Sequence, residues 1–551
     1  MSRNHFARVR SRALLLTTAA MLTAGLAACS GSSDDDNDDA TKGLEIVNSA
    51  PAADGAIDVL NWGVPFGEPP SVDPAAGGDS SANLIKSNVC ESLFRLNADY
   101  SITPALAESA EYSDDNLSLE IKIRTDVKFA NGNPMTAEDV RFSLARNLDP
   151  ELASTWASSV FGSVKEVTAP ADDTVVVEFN APDSLFKKAM AVTPGLISEK
   201  AAVEKAGKAY GTANGGLSCT GPYSIEAWRS GSGMTLKANP HYWDEAFTAK
   251  AETVQLKFIT ESSALVQGLK SGSLDGSWDV PPASVKSLEN SGSVYLGNSP
   301  QMLQIYPNAG PMDDVKLRQA VNKLIDRKAI SAQVYHETAE PMYTFVPELL
   351  WGDGAPALEA AFKNLDKPET VDVDGAKKLI ESMDNPPTKL TLAIIAGHEQ
   401  MRLTSALLQE TMKEVGIDLE VKTIQPAENV AYFTSADARK GVDLIMNTGW
   451  SAVPDYTFYA RRVVDPEGRF NLLGYDNQEV TDLLAESVSL FDEPQRSEKF
   501  AEAQAVYAPE VPLMPVANPL QVSFVREGLG GLTTSFAYVY QPSLATIGAT
   551  E

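Results

Sequence analysis

Side chains that could do covalent chemistry are few and scattered in this sequence. Histidine occurs four times in 551 residues, at His5, His241, His336 and His398, too widely spread to suggest a shared metal. The run His336-Glu337-Thr338-Ala339-Glu340 starts like a zinc-protease helix but lacks the second imidazole, and no Gly-x-Ser-x-Gly elbow occurs. Asp372-Val373-Asp374-Gly375 opens like a calcium loop, yet no acid stands at its third acidic position, so a helix N-terminus is the better reading. No metal, no cofactor and no catalysis are therefore expected. What remains is binding chemistry. The stretch Asn447 to Asp455, NTGWSAVPD, follows an apolar run at 442–446, and ligands of open α/β sheets lie at such strand ends. Trp450, Tyr456, Phe458 and Tyr459 cluster there, and both core packing and ligand stacking suit them.

Such a site needs a scaffold of alternating strands and helices, and the hydrophobic periodicity predicts one. Residues 57–64, IDVLNWGV, read as an opening strand, followed by the turn-rich PFGEPPSVDP and a helix over 80–96. Leu117, Leu119, Ile121 and Ile123 alternate with polar residues, as do Val175, Val177 and Phe179, which marks half-buried strands. Thr136 and Asp139 resemble a capping box ahead of the stripe Val140, Leu144 and Leu148.

Residues 302–306 form a short apolar run broken by Pro307, Asn308, Gly310 and Pro311. A helix follows with Leu317, Ala320, Val321, Leu324 and Ile325 on one face. Asp313 and Asp314 stand near its amide end, Arg327 and Lys328 near its carbonyl end. Farther on come a strand over 389–395, a helix over 401–415 ended by Gly416, and a strand over 417–421, a βαβ pattern that implies a parallel sheet. A last amphipathic helix is expected over 491–507.

The chain begins with a basic region, Arg3, Arg8, Arg10 and Arg12, and an uncharged run from Ala13 to Ala28, the pattern of an export signal. It closes on Leu26-Ala27-Ala28-Cys29, the form of a lipobox, in which Cys29 carries the lipid that anchors the mature protein. An acidic flexible tether is expected over 29–56, on the strength of the SGSSDDDNDD run. The formal charge is −29, and −33 once the four signal arginines are removed, which disfavours nucleic acid and anionic headgroups as partners. Some 500 residues suffice for three or four units at roughly 150 residues each. Cys90 and Cys219 are the other two cysteines; outside the cytoplasm they could pair or stay as separate buried thiols.

Several of these stretches also match one family in their wording. DDVKLRQAVNKLIDRKAI, from Asp313 to Ile330, resembles a segment of the solute-binding proteins that serve peptide/nickel-type ABC importers. The fullest local match is at Phe129, Gly132, Pro134, Thr136, Ala137, Asp139, Val140, Phe142 and Ser143. Ser71, Asp73, Pro74, Glu91 and Leu93 match near the start. Cys219 to Tyr223, Asn239 to Trp243, the ALVQGLKSGSLD turn and Val511 to Pro515 follow in the right order.

The resemblance implies an α/β, two-lobed fold of the periplasmic-binding type (type II). Lobe I would comprise 57–94, 190–304 and 513–551, an accessory domain 95–189, and lobe II 305–512, with crossovers near Leu303 and Leu513. It implies a monomeric, lipid-anchored receptor that takes a peptide or peptide-like solute between its lobes and passes it to membrane permease subunits. An opine, sugar or metal chelate as solute, or a secreted hydrolase, are the alternatives. In peptide-binding members an aspartate spaced from a tryptophan as Asp455 is from Trp450 pairs with the ligand ammonium; Asn308, Gly63 and Val64 are further candidates. The same resemblance puts Cys90 and Cys219 in lobe I and implies a disulfide between them.

Overall fold

Ile57–Val64 is flanked on both sides by parallel neighbours, Ala251–Phe258 and Gly276–Trp278, and so forms the middle of a seven-stranded sheet. The computed structural model describes residues 44–152, 154–367 and 370–550. The export signal, Cys29 and the acidic run lie outside them. The expected tether's residues 44–56 do not: Val47 donates its amide to the Leu296 carbonyl at 2.9 Å, Ala50 to Leu532 at 2.8 Å, and Gly55 bridges Ala549. Residues 44–56 are thus laid along the body, because their backbone groups find partners on strand Gly292–Gly297 and the C-terminal segment.

The seven-stranded sheet runs Gly292–Gly297, Gln521–Arg526, Gly276–Trp278, Ile57–Val64, Ala251–Phe258, Gly233–Ala238, Tyr223–Arg229. A second, six-stranded sheet runs Ala339–Pro341, Met514–Pro519, Gln301–Pro307, Leu444–Trp450, Lys389–Ile395, Asp418–Ile424. Lys389–Ile395 pairs parallel with Asp418–Ile424 across helix Glu399–Glu414, the βαβ unit expected from the sequence. Each sheet has its own large core, so the fold is two-lobed.

The chain leaves the first sheet after Gly297 and enters the second at Gln301; it returns between Pro519 and Gln521. These two crossings lie side by side, since the Asn518 amide donates to the carbonyls of Ser299 at 2.9 Å and Gln301 at 2.7 Å. The entering strand is pinned in the second lobe by Gln304. Its fully buried amide donates to Phe345 O and accepts from the Tyr306 and Tyr459 hydroxyls.

A four-stranded antiparallel sheet, Ala107–Tyr112, Ser118–Ile123, Thr174–Phe179, Val164–Ala171, shares the first lobe's core. Helix Ala137–Ala145 packs against it and starts with the reciprocal cap expected from Thr136 and Asp139.

Two expectations fail for local reasons. The helix over 80–96 stops at Val89, because Cys90 is extended (φ −114°, ψ 161°) and bonded to Cys219, with Cα atoms 4.7 Å apart. Phe94–Leu96 is then a strand paired with Ile102–Pro104. The helix Val315–Lys323 ends before Arg327, and Asp326 caps a new turn. Arg327 is buried, donating Nε to Met342 O and Pro515 O, rather than resting on a helix end.

At Gly63 the strand is crowded by the following helix and turn: an added Cβ would sit 2.7 Å from Leu265 Cδ1 and 3.2 Å from Leu274 Cδ1. Gly63→Ala should therefore destabilise the protein by about 1–3 kcal/mol through overpacking. Urea unfolding of the variant beside the wild type measures it; an unchanged midpoint would mean that helix Ser262–Ser271 yields freely.

Candidate functional site

Strand ends from both lobes meet at the crossings. Trp450, the last residue of Leu444–Trp450, is paired with Gln301, the first residue after the outward crossing. Its indole Nε1 donates to the Tyr540 hydroxyl at 2.7 Å and its ring lies 5.3 Å from Phe536, both residues of the first lobe. On the first lobe, the C-terminal ends of Ile57–Val64 and Gly276–Trp278 open into a small recess of about 10 Å³. Its walls are Gly63 to Phe66, the start of helix Ser80–Val89 at Ser80, Ser81 and Leu84, and Trp278, Asp279 and Tyr538. Val64 is buried, and Phe66 is 47% exposed.

Asp279 is the charged group of this recess. It has φ +55°, a conformation that residues with a Cβ rarely adopt, and such strain tends to collect at functional positions. Its carboxylate accepts from Tyr538 Oη and from Gln301 Nε2 at 3.3 Å, with Gln521 also within reach. Burial pushes the Asp279 carboxyl above its ordinary value, only partly offset by these three neutral neighbours. Tyr538 in turn stacks on Trp278, centroids 4.4 Å apart and planes 3° from parallel, with Trp62 behind at 4.6 Å. The Ser81 hydroxyl is buried and has no hydrogen-bond partner among the described residues.

Asp455, expected to meet a ligand ammonium, is elsewhere engaged. It caps helix Tyr456–Val464, with Oδ1 accepting from the amides of Thr457 at 2.8 Å and Phe458 at 3.4 Å. Arg496 Nη2 donates to the same oxygen at 2.6 Å, and Lys188 Nζ donates to Oδ2 at 2.8 Å. Burial alone would raise this carboxyl, but Arg496 and then Lys188 hold it well below the usual carboxylate range. The residue is wholly buried in this arrangement of the lobes. Its physical role is different, because Lys188 comes from the accessory region of the first lobe and Arg496 from the second. The same seam carries Ser184 Oγ donating to Val488 O at 2.8 Å and the edge contact of Tyr112 with Phe491 at 4.6 Å.

Asn308 also lies away from the recess, at the far end of Gln301–Pro307. There its side chain donates to Val442 O at 2.7 Å and accepts from Arg439 Nε at 3.0 Å, fixing the turn before Leu444–Trp450. Gly63 and Val64 do line the recess, through their backbone and strand end. Sequence reasoning missed Asp279 and Tyr538. The available signal was an acid in SWDVPP directly after a short strand, ahead of two prolines.

A larger hollow of about 950 Å³ lies within the second lobe, among helices Val315–Lys323, Ala355–Lys363 and Glu493–Tyr507. It is lined by the second lobe only, as the recess is lined by the first only; parallel-strand ends converge on the recess, beside the crossings. Among the described residues no group of three His, Cys, Asp or Glu is placed to hold a metal ion, and no helix is long and apolar enough to cross a membrane.

Comparison with known proteins agrees with this geometry. Residues 101–469 match the family described as bacterial extracellular solute-binding proteins, family 5 Middle. The oligopeptide-binding protein OppA of Bacillus subtilis (strain 168) is 26% identical over 475 residues, spanning 82% of this chain and 85% of its own. The glutathione-binding protein GsiB of Escherichia coli (strain K12) is 24% identical over 471 residues, 84% and 89% of the two chains. Among solved structures, AgaA of A. tumefaciens R10 in complex with agropinic acid superposes with a TM-score of 0.76 at 20% identity. It covers 90% of this chain and 99% of that one, and so speaks for the fold.

Asp455→Ala should cost about 3–5 kcal/mol of stability, because it removes the buried carboxylate that Arg496 Nη2 and Lys188 share and leaves Arg496 only Glu493, at 3.1 Å, as its anion. The pH dependence has a definite sign. The folded carboxyl titrates below its unfolded value of about 4, so its contribution is complete above that pH and is lost as the pH falls toward the folded value. Denaturant unfolding between pH 7 and pH 3 should show a steeper acid loss in the wild type than in Asp455→Asn; parallel curves would contradict the assignment.

Proposed function

We propose, from the premise that the chain belongs to the family 5 bacterial extracellular solute-binding proteins, that it is a lipid-anchored receptor. It captures a peptide or related solute between its lobes and hands it to the permease of an ABC importer. The observation that carries this reading is the convergence of strand ends from both sheets, Val64 and Trp278 from one and Trp450 from the other, beside two adjacent crossings. A recess of about 10 Å³ lies far below the ~300 Å³ at which small-molecule sites usually begin, so a solute of several residues enters only when the lobes part.

Parting about the crossings breaks the seam hydrogen bonds of Ser184, Lys188 and Trp450 and uncovers Val453, Phe458 and Val488, which pack into the first lobe's core, while Arg496 stays with Asp455. A solute that prefers the shut form a hundredfold biases the balance toward closure by about 2.7 kcal/mol.

A non-peptide solute is the second reading, and one observation favours it: the aspartate that the peptide-binding resemblance calls for is sealed in the seam. The Leu26-Ala27-Ala28-Cys29 run supports anchoring by lipid at Cys29, and delivery to a permease follows from the family's role as solute binders.

Two measurements test the reading. A bound solute at a hundred times its dissociation constant should add about 2.7 kcal/mol of stability with no chemical change in the solute. Turnover of the solute would instead indicate a hydrolase. Cys29→Ser should move the protein from the membrane fraction to the soluble extracytoplasmic fraction; retention at the membrane would remove the lipid anchor.

A further inference from the structure

We propose that the hollow of the second lobe is a second ligand site, which takes a small apolar acid: one carboxylate bound at Arg327 and an apolar body against the alanine-lined walls. This site is separate from the crossings and does not depend on the receptor reading above.

The hollow measures about 950 Å³, within the ~300–1,000 Å³ that small-molecule sites occupy. Protein interiors normally close such spaces, because side chains lose their contacts across a gap. This one stays open for a reason written in the residue types. Ala357, Ala360 and Ala361 on helix Ala355–Lys363, and Ala501, Ala505 and Ala508 along helix Glu493–Tyr507 and its cap, line it with methyl groups where longer side chains would meet. The inner wall is apolar as well. Phe345 stacks on Tyr507, with ring centroids 4.5 Å apart and planes 16° from parallel, and Leu513 lines the same buried side.

One charge is set into that wall. Arg327 is buried, and its guanidinium meets only neutral acceptors: Nε donates to Met342 O and Pro515 O, Nη1 to Asn322 O and Ile325 O, and Nη2 to Asn322 Oδ1 at 2.6 Å. A guanidinium carries five N–H groups, and one of the two on Nη2 has no acceptor among the described residues. No carboxylate among them pairs with Arg327 either, unlike the buried Arg496, which holds Asp455 at 2.6 Å. Burial pushes the Arg327 guanidinium down to about 10, so it stays charged at neutral pH. A cation without an anion in a low-dielectric wall favours a carboxylate, and the spare N–H gives that carboxylate an oxygen contact. The rim limits how much negative charge enters. Lys323, the other cation of the lining, is shared by Asp366 and Asp372, each at 3.1 Å, and Glu498 and Glu502 are exposed beside it. A single carboxylate on an apolar body fits this arrangement; a second one at the outer end would meet those acids.

The test uses the full mature protein and three probes of equal chain length: decanoate, 1-decanol and decanedioate. Binding is read by calorimetry. The expected result is one decanoate per chain, held about tenfold more tightly than decanol or decanedioate. Ala361→Trp and Ala505→Trp, which fill the hollow and lie away from the crossings, should each weaken decanoate about tenfold or more, with thermal unfolding to check that both variants are folded. Arg327→Gln should bind decanoate and decanol alike. If Arg327→Gln does not fold, the wild-type ranking and the two tryptophan variants decide. Decanol bound as tightly as decanoate, no saturable decanoate binding, or decanoate affinity unchanged in the tryptophan variants would overturn the second site and leave the receptor reading standing.

Discussion

A carboxylate taken wholly out of water must find positive charge, and Asp455 finds it on both sides of the seam between the lobes. Arg496 lies in its own lobe at 2.6 Å; Lys188 reaches from the other at 2.8 Å and remains partly exposed. The asymmetry matters. Arg496 is itself buried, so its pair with Asp455 is needed in every state, whereas Lys188 can withdraw into water at small cost. The seam is therefore a contact that can open without leaving a buried charge alone.

The two crossings convert that local freedom into a hinge. They run beside each other and are clamped by Asn518 and Gln301, while the strands on either side are buried in separate cores. Any relative movement is thus confined to a few residues at 298–300 and Leu520. Trp450 and Asp279 lie close to this line, one on each lobe, and Gln301 touches both: it pairs with Trp450 and donates to Asp279. Occupation of the recess and the position of the hinge share a residue.

The strands were largely legible because their burial is periodic. Ile57–Val64 and Lys389–Ile395 have the expected bounds, and the Thr136–Asp139 cap forms as the residue types require. The match to the solute-binding family rested on turns and caps of this kind, and residues 101–469 carry it. The helix over 80–96 was misread since apolar spacing continues past Cys90, where a long-range covalent bond ends the helix. The site was harder. Asp455 stands five residues after Trp450 and follows a proline, yet whether an acid faces a solute or a neighbouring arginine depends on Arg496 and Lys188, distant in sequence. Asp279 escaped notice for the opposite reason: its surroundings come from Gln301, Gln521 and Tyr538, brought together only by the crossings.

The account requires that the lobes turn about the crossings and shut on a guest molecule. The most direct measurement is the distance between spin labels on exposed residues of the two lobes, Lys257 and Lys440, in protein stripped of bound small molecules and again after the released fraction is returned. The account predicts a broad or longer distance without solute that becomes short and narrow with it. One unchanged, narrow distribution in both conditions would contradict it.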